Sequence, residues 1–468
     1  MKPVAIIGGG ITGLTAALQL RSKNIPFVLY EAAPRCGGVI QTVHQDGFIA
    51  ECGPNTILET APLIGKLVAD AGLESSKRYS APEANDRYIV RNGGPVSLPG
   101  SPLGFFATPL FSIGAKLRLL KEPFIARGMV EESLGQFVLR RLGQEFLDYA
   151  INPFVAGIFA GDPNKLSVRY AFPKLHALEQ RYGSLIRGQI LGARERKRSG
   201  SVSKQNAKKL SFNGGLVALT DALASTLKED IQLNSTVRCL ERTGAGWTAH
   251  LNCASSSESR EHSRVLLVAP AHKLAQIELR GCGRASLSSL GKIRYSPVAS
   301  VSLGFRRAEV AHSLSGFGVL IPEIERFNIL GSIFASSLFP ERAPEGCVLL
   351  TNYVGGARAP HLADETTDRL VAITVADLRR MLGVSGSPIF QHVTVYRHAI
   401  PQYEMDFGTH LQNMNDIEQH APGLLLQGHY RDGTGLSDSI LSGYKAADRI
   451  AESIASNSSH SQPIPVAA

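Results

Sequence analysis

The stretch that decides the fold is residues 4–13, which read VAIIGGGITG. Its first four residues form an unbroken apolar run, and residues 3–7 are predicted to be a buried parallel strand. Residues 12–23 carry apolar side chains at helical spacing and predict a helix. A second apolar run, residues 27–30, ends at the acid Glu31. A strand, glycine turn, helix, strand and acid in this order are typical of a dinucleotide-binding unit.

The glycines of this unit have separate physical tasks. Gly8 permits a tight turn, Gly10 lets the backbone approach a pyrophosphate, and Gly13 lets the helix pack closely on the strand. Ile11 and Thr12 open the helix, whose N-terminus faces the phosphates. The competing interpretation is a glycine-rich turn that only packs.

The segment after the second strand favours a flavin over a nicotinamide cofactor. Glu31 is suited to accept a hydrogen bond from a ribose hydroxyl, and Ala32 follows it. In the turn beyond, Gly37 and Gly38 bring backbone N–H groups to the pyrophosphate, and Arg35 adds a cation. A simple nicotinamide dehydrogenase has no need of such a turn, so the predicted cofactor is FAD.

Further segments complete the predicted cofactor site. Residues 51–55 form a tight turn suited to lie beside the isoalloxazine ring. Residues 428–440 place a second glycine-rich turn before a helix, whose N-terminus would stabilise negative charge on a reduced flavin. A strand near residue 237 is expected to place backbone groups on the adenine. The predicted cofactor-binding residues of these segments are Gly53, Pro54, Asn55, Val237, Gly428, Gly435 and Ser439.

Composition describes an ordinary globular protein. With 468 residues, 44% hydrophobic and 19% charged, the chain is long enough for two or three domains. Its six cysteines are scattered without a Cys-x-x-Cys pair, so they predict reduced thiols in a cytoplasmic protein. No histidine pattern predicts a metal site. Since the first strand begins almost at once, no cleavable leader is expected.

The net charge of +9 comes in part from the basic segment 194–209, which is predicted to be a mobile, solvated loop. It lacks interleaved aromatic residues, so no nucleic-acid binding is expected. Residues 92–115 hold no charged residue, but their prolines forbid a spanning helix. This stretch either dips into a bilayer surface or covers a pocket. Peripheral contact with the inner face of the cytoplasmic membrane therefore stays open.

The segments divide the chain into three predicted domains. The overall fold class is α/β, or α+β over the whole chain. Residues 1–75, 205–272 and 402–455 form a Rossmann-type FAD-binding domain, and residues 76–101 and 273–401 a mixed-sheet substrate-binding domain. Residues 102–204 form a mainly helical insertion that is a candidate for membrane association. The alternating pattern of residues 298–305 predicts a half-buried strand. Residues 456–468 are predicted to be a disordered tail.

Three longer segments carry a family resemblance. Residues 152–167 (NPFVAGIFAGDPNKLS), 334–346 (FASSLFPERAPEG) and 399–403 (AIPQY) resemble segments of the protoporphyrinogen oxidases. That family is related to the flavin-dependent amine oxidases and phytoene desaturases, which share the glycine fingerprint but not these segments. The resemblance implies oxidation of a porphyrinogen to a porphyrin. Six electrons leave in three two-electron steps through FAD to oxygen, which becomes hydrogen peroxide.

The resemblance also implies the substrate-binding residues. Arg87 aligns with an arginine that pairs with a propionate, and the competing interpretation is a surface arginine paired with Asp86. Gly157 aligns with a residue whose carbonyl faces the pyrrole N–H groups. No catalytic acid or base is expected, because the flavin carries the chemistry.

Three more positions match residues that contact the macrocycle, namely Leu320, Ile333 and Tyr353. Without the resemblance, each is an ordinary core strand residue. Ile333 stands where leucine is usual and Tyr353 where phenylalanine stacks, so the tyrosine hydroxyl needs a partner.

Several alternatives stay open from the sequence. The substrate is protoporphyrinogen IX or coproporphyrinogen III, with a weak preference for the former. A different flavin oxidase or desaturase acting on an amine or polyene is the second hypothesis. A non-catalytic module that binds a dinucleotide or a membrane is the third. A homodimer is also compatible with the sequence.

Overall fold

The computed structural model describes residues 1–199, 207–244, 246–253 and 257–459. A five-stranded parallel sheet gathers segments from three distant parts of the chain. Residues 4–7, 264–267 and 424–426 lie on neighbouring strands. In spatial order the strands are β10 (Ile231–Gln232), β2 (Phe27–Tyr30), β1 (Val4–Ile7), β14 (Arg264–Leu267) and β21 (Leu424–Leu426).

Strand β1 is buried on both faces of this sheet. Val4 and Ile6 point into a core shared with helices, whereas Ala5 and Ile7 pack into a second core that contains Trp247. Because side chains alternate along a strand, this one short apolar run contributes side chains to the cores on both faces of the sheet. The helices on the first face are α1 (Ile11–Ser22), α2 (Pro62–Asp70), α11 (Val217–Thr226) and α17 (Leu436–Ser459).

Three smaller sheets surround this unit. A four-stranded sheet, which contributes Trp247 to the second core, contains β13 (Ser257–His262), β12 (Gly246–Asn252), β11 (Thr236–Thr243) and β15 (Glu278–Arg280). The others are the pair β3 (Thr42–Gln45) and β4 (Phe48–Glu51), and the sheet of β5 (Ile57–Leu58), β9 (Lys209–Phe212) and β6 (Lys77–Tyr79). Two short helices, α12 (Ala271–Leu274) and α16 (His429–Asp432), and the longer α15 (Phe407–His420) complete this part of the fold.

A seven-stranded mixed sheet forms the second large layer. Its order is β20 (Phe390–Pro401), β16 (Tyr295–Arg306), β19 (Cys347–Gly355), β18 (Ile329–Phe334), β17 (Gly318–Leu320), β7 (Arg87–Arg91) and β8 (Gly94–Ser97). Helix α14 (Thr367–Leu382) packs on one face, and α13 (Ala335–Leu338) follows β18. The half-buried pattern predicted for residues 298–305 is wrong. Strand β16 lies inside the sheet and is buried on both faces.

A helical region occupies residues 102–199. It contains α3 (Pro102–Ala107), α4 (Ile113–Arg118), α5 (Leu134–Arg141), α6 (Gln144–Phe146), a π-helical turn (Leu147–Ile151), α7 (Asn152–Phe159), α8 (Val168–Ala171), α9 (Pro173–Tyr182) and α10 (Leu185–Ser199). Buried Arg141 joins these helices by ion pairs to Glu122 and Glu179. Within the described ranges, no helix is both long and apolar enough to cross a bilayer.

Two predictions of irregular structure need correction. Residues 194–199 belong to helix α10 and are not a loop, while residues 200–206 lie outside the described residues. Helix α17 continues to Ser459, past the predicted start of the disordered tail at 456, and residues 460–468 lie outside the described residues. In both places helical hydrogen bonding extends into a polar sequence. The three domain boundaries stay a prediction.

Candidate active site

The glycine turn after β1 has the geometry of a phosphate cradle. Gly8 has a φ of 117°, and a Cβ there would lie 2.8 Å from the backbone N of Ala269. A Cβ on Gly13 would lie 2.0 Å from the carbonyl oxygen of Gly8, so only glycine allows helix α1 to pack this closely. At Gly10 a Cβ would meet no described atom within 4 Å. Neighbouring protein atoms therefore leave no room for a side chain at Gly8 or Gly13, whereas the space beside Gly10 is open, as a bound pyrophosphate requires.

The acid at the end of β2 is held beside this turn. The Glu31 carboxylate accepts a hydrogen bond of 2.7 Å from the backbone N of Gly9 and one of 2.8 Å from that of Ala33. These contacts fix both carboxylate oxygens, and their remaining lone pairs stay suited to ribose hydroxyls. Residue 32, predicted as a cofactor contact, lies between these anchored positions.

The second glycine turn packs against the first. The backbone N of Gly37 donates to the carbonyl of Gly9 at 2.8 Å, and a Cβ on Gly38 would lie 3.7 Å from the Cα of Gly10. The Arg35 guanidinium donates to backbone carbonyls within the turn, including that of Gly38 at 2.7 Å. Arg35 thus stabilises the turn through hydrogen bonds to its backbone and also contributes a positive charge there.

The N-termini of α1 and α17 lie side by side. The Thr12 hydroxyl donates to the carbonyl of Ser439 at 3.0 Å, and Gly435 donates its N–H to the Asp438 carboxylate at 3.2 Å. Tyr403, from the third family segment, donates to the carbonyl of His429 and accepts from the backbone N of Gly433. These bonds fix the C-terminal turn, in which Gly428 has a φ of 126°.

The turn of residues 52–55 joins the cradle to the seven-stranded sheet. The Tyr353 hydroxyl donates to the carbonyl of Gly53 at 3.1 Å and accepts from Asn55 Nδ2 at 2.6 Å. The tyrosine hydroxyl therefore has the partners that the sequence demanded, and burial raises its pKa. Pro54 lies between these two anchored residues. The predicted turn and the predicted ring-contact residue are thus in direct contact.

A buried polar atom next to this turn lacks a partner. The Tyr396 hydroxyl lies 3.6 Å from where a Cβ of Gly53 would stand, and no described residue hydrogen-bonds to it. Buried hydroxyls are nearly always hydrogen-bonded, so this one is available to a bound group. Together with the open space at Gly10, it shows that the residues fit FAD, which would lie along the two glycine turns.

The sheet register brings the predicted substrate residues together. Gly318 pairs with Arg87 on one side and with Ile333 on the other. Two residues farther along, Leu320 pairs with Gly331, which in turn pairs with Tyr353. Paired residues project to the same side of a sheet, so the four predicted contacts Arg87, Leu320, Ile333 and Tyr353 share one face. Helix α14 covers the opposite face.

Gly157 lies against this face in the last turn of α7. A Cβ there would lie 2.6 Å from Leu320 Cδ2, so the absence of a side chain lets the helix approach the sheet. Gly157 is exposed, and carbonyls in the last turn of a helix have no intrahelical partner. Its position is compatible with the carbonyl role that the resemblance implies.

Arg87 has no acidic partner. Among the described residues no ion pair or side-chain hydrogen bond engages its guanidinium, so the interpretation as a partner of Asp86 is wrong. The ring of Phe317 lies beside it, with the ring centroid 5.8 Å from Cζ. Burial lowers its pKa.

The sequence interpretation missed Lys209. It was assigned to the basic loop, yet its side chain is only 6% exposed and its ammonium group also lies 5.8 Å from the Phe317 centroid. The one available signal was its place before the apolar residues of β9.

Val237 belongs to neither glycine turn. It lies on β11 of the four-stranded sheet, buried, beside a register shift. The chain just before it runs along the end of β2, because Ser235 donates its backbone N–H to the carbonyl of Glu31 at 2.9 Å. A contact between Val237 and an adenine stays a prediction.

Comparisons with known proteins agree with this geometry. The family model described as flavin containing amine oxidoreductase matches residues 11–451. Protoporphyrinogen oxidase 2, chloroplastic/mitochondrial, of Arabidopsis thaliana is 34% identical, covering 99% of this chain and 96% of its own. Coproporphyrinogen III oxidase of Bacillus subtilis (strain 168) is 32% identical, covering 95% and 97%.

Solved structures show the same fold. A crystal structure from Exiguobacterium sp. 255-15 has a TM-score of 0.79 at 24% identity and covers 96% of this chain and 98% of its own. Cyclohexylamine oxidase from Brevibacterium oxydans IH-35A has a TM-score of 0.68 at 16% identity, covering 97% and 99%. The glycine cradle, the fold and the full-length matches lead to one conclusion: the chain belongs to the flavin-containing amine oxidoreductases and is an FAD-dependent oxidoreductase.

Proposed function

We propose that this enzyme oxidises protoporphyrinogen IX to protoporphyrin IX, with oxygen reduced to hydrogen peroxide. The observation that carries the proposal is the face of the seven-stranded sheet. It combines apolar side chains with an arginine that has no acidic partner among the described residues, next to a cofactor cradle. An apolar macrocycle with carboxylate substituents matches that combination. The similarity to relatives named protoporphyrinogen oxidase supports the same substrate.

In this proposal the protein binds and orients the substrate and excludes water from the site. When bound, FAD accepts electron pairs from the substrate and passes them to oxygen. Leu320 and Ile333 pack against the macrocycle, and the aromatic ring of Tyr353 stacks on it. Arg87 binds a propionate, for which its planar guanidinium is suited. Gly157 offers its backbone carbonyl to the pyrrole N–H groups. No side chain is assigned as a catalytic acid or base.

The test is an aerobic assay of the purified holoenzyme with protoporphyrinogen IX and coproporphyrinogen III. The flavin absorption spectrum is recorded first, and porphyrin fluorescence is then followed. Rapid growth of fluorescence with protoporphyrinogen IX is expected. Flavin bands without oxidation of either porphyrinogen would reject the proposal in favour of an amine or polyene oxidase.

Coproporphyrinogen III is the second candidate, because a coproporphyrinogen III oxidase is also similar over nearly the whole chain. The two substrates differ at the macrocycle edge, where coproporphyrinogen carries four propionates and protoporphyrinogen two. The ratio of kcat/KM for the two substrates in the same assay separates them. A ratio in favour of coproporphyrinogen III would reassign the substrate and leave the flavin chemistry unchanged.

A membrane-facing surface of the helical region is also part of the proposal. Large apolar side chains there are more than half exposed: Leu103, Phe106, Ile113, Leu117, Leu120, Phe124, Met129, Val130, Ile190 and Leu191. Two contacts link parts of this surface: Lys116 of α4 donates to the carbonyl of Phe106, and Arg187 of α10 lies over the Phe124 ring, 6.0 Å from its centroid. An exposed patch with basic residues fits the anionic inner face of the cytoplasmic membrane.

Liposome co-sedimentation tests this surface with a single substitution. Phe106→Asp is the suitable variant, because Phe105 packs against Phe111 and Phe146 and its replacement would disturb folding. We expect Phe106→Asp to reduce binding to anionic vesicles, whereas Leu63→Asp on α2 leaves it unchanged. Equal binding by all forms would contradict membrane contact. A homodimer that covers the same surface is the alternative, and sedimentation velocity without lipid detects it.

A further inference from the structure

Two cationic side chains lie close together beside the seven-stranded sheet, and neither has an acidic partner within the described ranges. Arg87 Cζ and Lys209 Nζ each lie 5.8 Å from the centroid of the Phe317 ring. Lys209 Nζ donates a hydrogen bond of 2.9 Å to Asn85 Oδ1, which carries no charge. In the part of the chain that the structure describes, no carboxylate pairs with either cation. Two positive charges therefore lie beside the same aromatic ring.

Burial makes this arrangement unfavourable for the protein alone. The Lys209 residue is 6% exposed, and buried lysines are normally paired with a carboxylate. Desolvation lowers the pKa of Lys209, and the nearby Arg87 guanidinium lowers it further. An anionic group between the two cations would remove both penalties. The two cations are thus suited to bind an anionic group.

The position of the pair connects it to the proposed substrate face. Phe317 precedes Gly318, which pairs with both Arg87 and Ile333. Lys209 comes from β9, in a different sheet from Arg87 on β7, so two separate sheets each place one cation beside the Phe317 ring. We propose that Lys209 is a substrate-binding residue that forms, together with Arg87, a two-cation site for the carboxylates at one edge of the substrate. This inference rests on the proposed porphyrinogen oxidation.

The test measures binding of two porphyrins that differ only in their carboxylates. Protoporphyrin IX and its dimethyl ester are titrated into the holoenzyme and into Lys209→Met, and quenching of porphyrin fluorescence is followed. The variant should bind the diacid about tenfold more weakly, the effect of one charge-assisted hydrogen bond, and the ester as the wild type does. In turnover, KM for the porphyrinogen should rise by a similar factor while kcat changes less than about twofold.

Three controls separate binding from folding. Lys208 is the adjacent exposed lysine, and Lys208→Met should leave both porphyrin affinities unchanged. Lys209→Arg should restore most of the diacid affinity, because it keeps the charge. Flavin content and thermal unfolding show whether each variant is folded.

Each result decides between distinct conclusions. Equal weakening of diacid and ester by Lys209→Met would overturn the inference and assign Lys209 a structural role. Unchanged affinity for both would overturn it as well. Turnover of the porphyrinogen by the wild type would in those cases still support the proposed function. A wild type that neither oxidises porphyrinogen nor binds the diacid would overturn both.

Discussion

Replacing Gly10 by alanine should separate folding from cofactor binding. Its φ of −72° and ψ of 178° lie in the extended region that alanine adopts freely, and the new Cβ would meet no described atom within 4 Å. The apoprotein should therefore be as stable as the wild type, or gain up to about 1 kcal/mol from reduced entropy of the unfolded chain. The methyl group fills the space that a pyrophosphate needs. Overpacking of this kind costs about 1–3 kcal/mol, which corresponds to roughly 5- to 140-fold weaker FAD binding.

The assay titrates FAD into both apoproteins by fluorescence quenching and records thermal unfolding with and without FAD. Gly94→Ala is the matched control, because a Cβ at Gly94 on β8 also meets open space. Gly10→Ala should lower the melting temperature only in the presence of FAD, since a ligand stabilises the state that it binds. Wild-type FAD affinity in Gly10→Ala would refute the phosphate-cradle argument. A large loss of apoprotein stability would refute the claim that the space is empty.

Three other changes test the framework of the site. Arg141→Met removes the cation that the buried carboxylates Glu122 and Glu179 share. Urea titrations should show that it lowers the free energy of unfolding by about 3–5 kcal/mol. Lys121→Met, at an exposed position, should change the free energy of unfolding little. Tyr353→Phe removes the hydroxyl that is hydrogen-bonded to Gly53 and Asn55. It should lower the free energy of unfolding by about 1–2 kcal/mol, while the flavin and the aromatic ring are retained. An unchanged free energy of unfolding would contradict the structural role of that hydroxyl. Burial lowers the pKa of His262, His272 and His429 to about 4, so the unfolded chain binds more protons than the native state between pH 6.5 and pH 4. Stability should be lost as the pH falls through that window, by at most about 1.4 kcal/mol per pH unit for each histidine, and His262→Gln should reduce the slope of melting temperature against pH.

The dinucleotide-binding unit was predictable because its signals are local. An apolar run, three glycines and an acid lie within the first 31 residues, and part of what requires these glycines lies within the motif itself. Gly13, for example, needs no side chain because the carbonyl of Gly8 lies in the way. The sharing of one sheet by three distant segments was also predictable, since each segment repeats the pattern of a buried strand before a turn. Local chemistry and global topology agree here.

Burial in the seven-stranded sheet could not be predicted in the same way. Residues 298–305 alternate serine and glycine with larger apolar side chains, which suggests one wet face. Ser302 nevertheless lies inside the protein, where its hydroxyl meets that of Thr351 on the neighbouring strand. The polar side of the alternation is covered by the pair β3 and β4 and not by bulk water, since a Cβ on Gly304 would lie 2.6 Å from the Phe48 ring. Sequence period distinguishes two faces of a strand but does not say what covers each of them.

Lys208 and Lys209 show the same limit for charge. Both lie at the end of one basic segment of the sequence, and both were predicted to be exposed because charged side chains are usually solvated. Strand β9 begins at Lys209, and successive residues of an extended chain point to opposite sides, so one lysine is exposed and the other buried. Binding of an anion stabilises a buried cation that lies close to another cation, because it offsets both the lost solvation and the repulsion between the two positive charges. The charge that matters for recognition is therefore set by strand register, and only the folded chain reveals which lysine carries it.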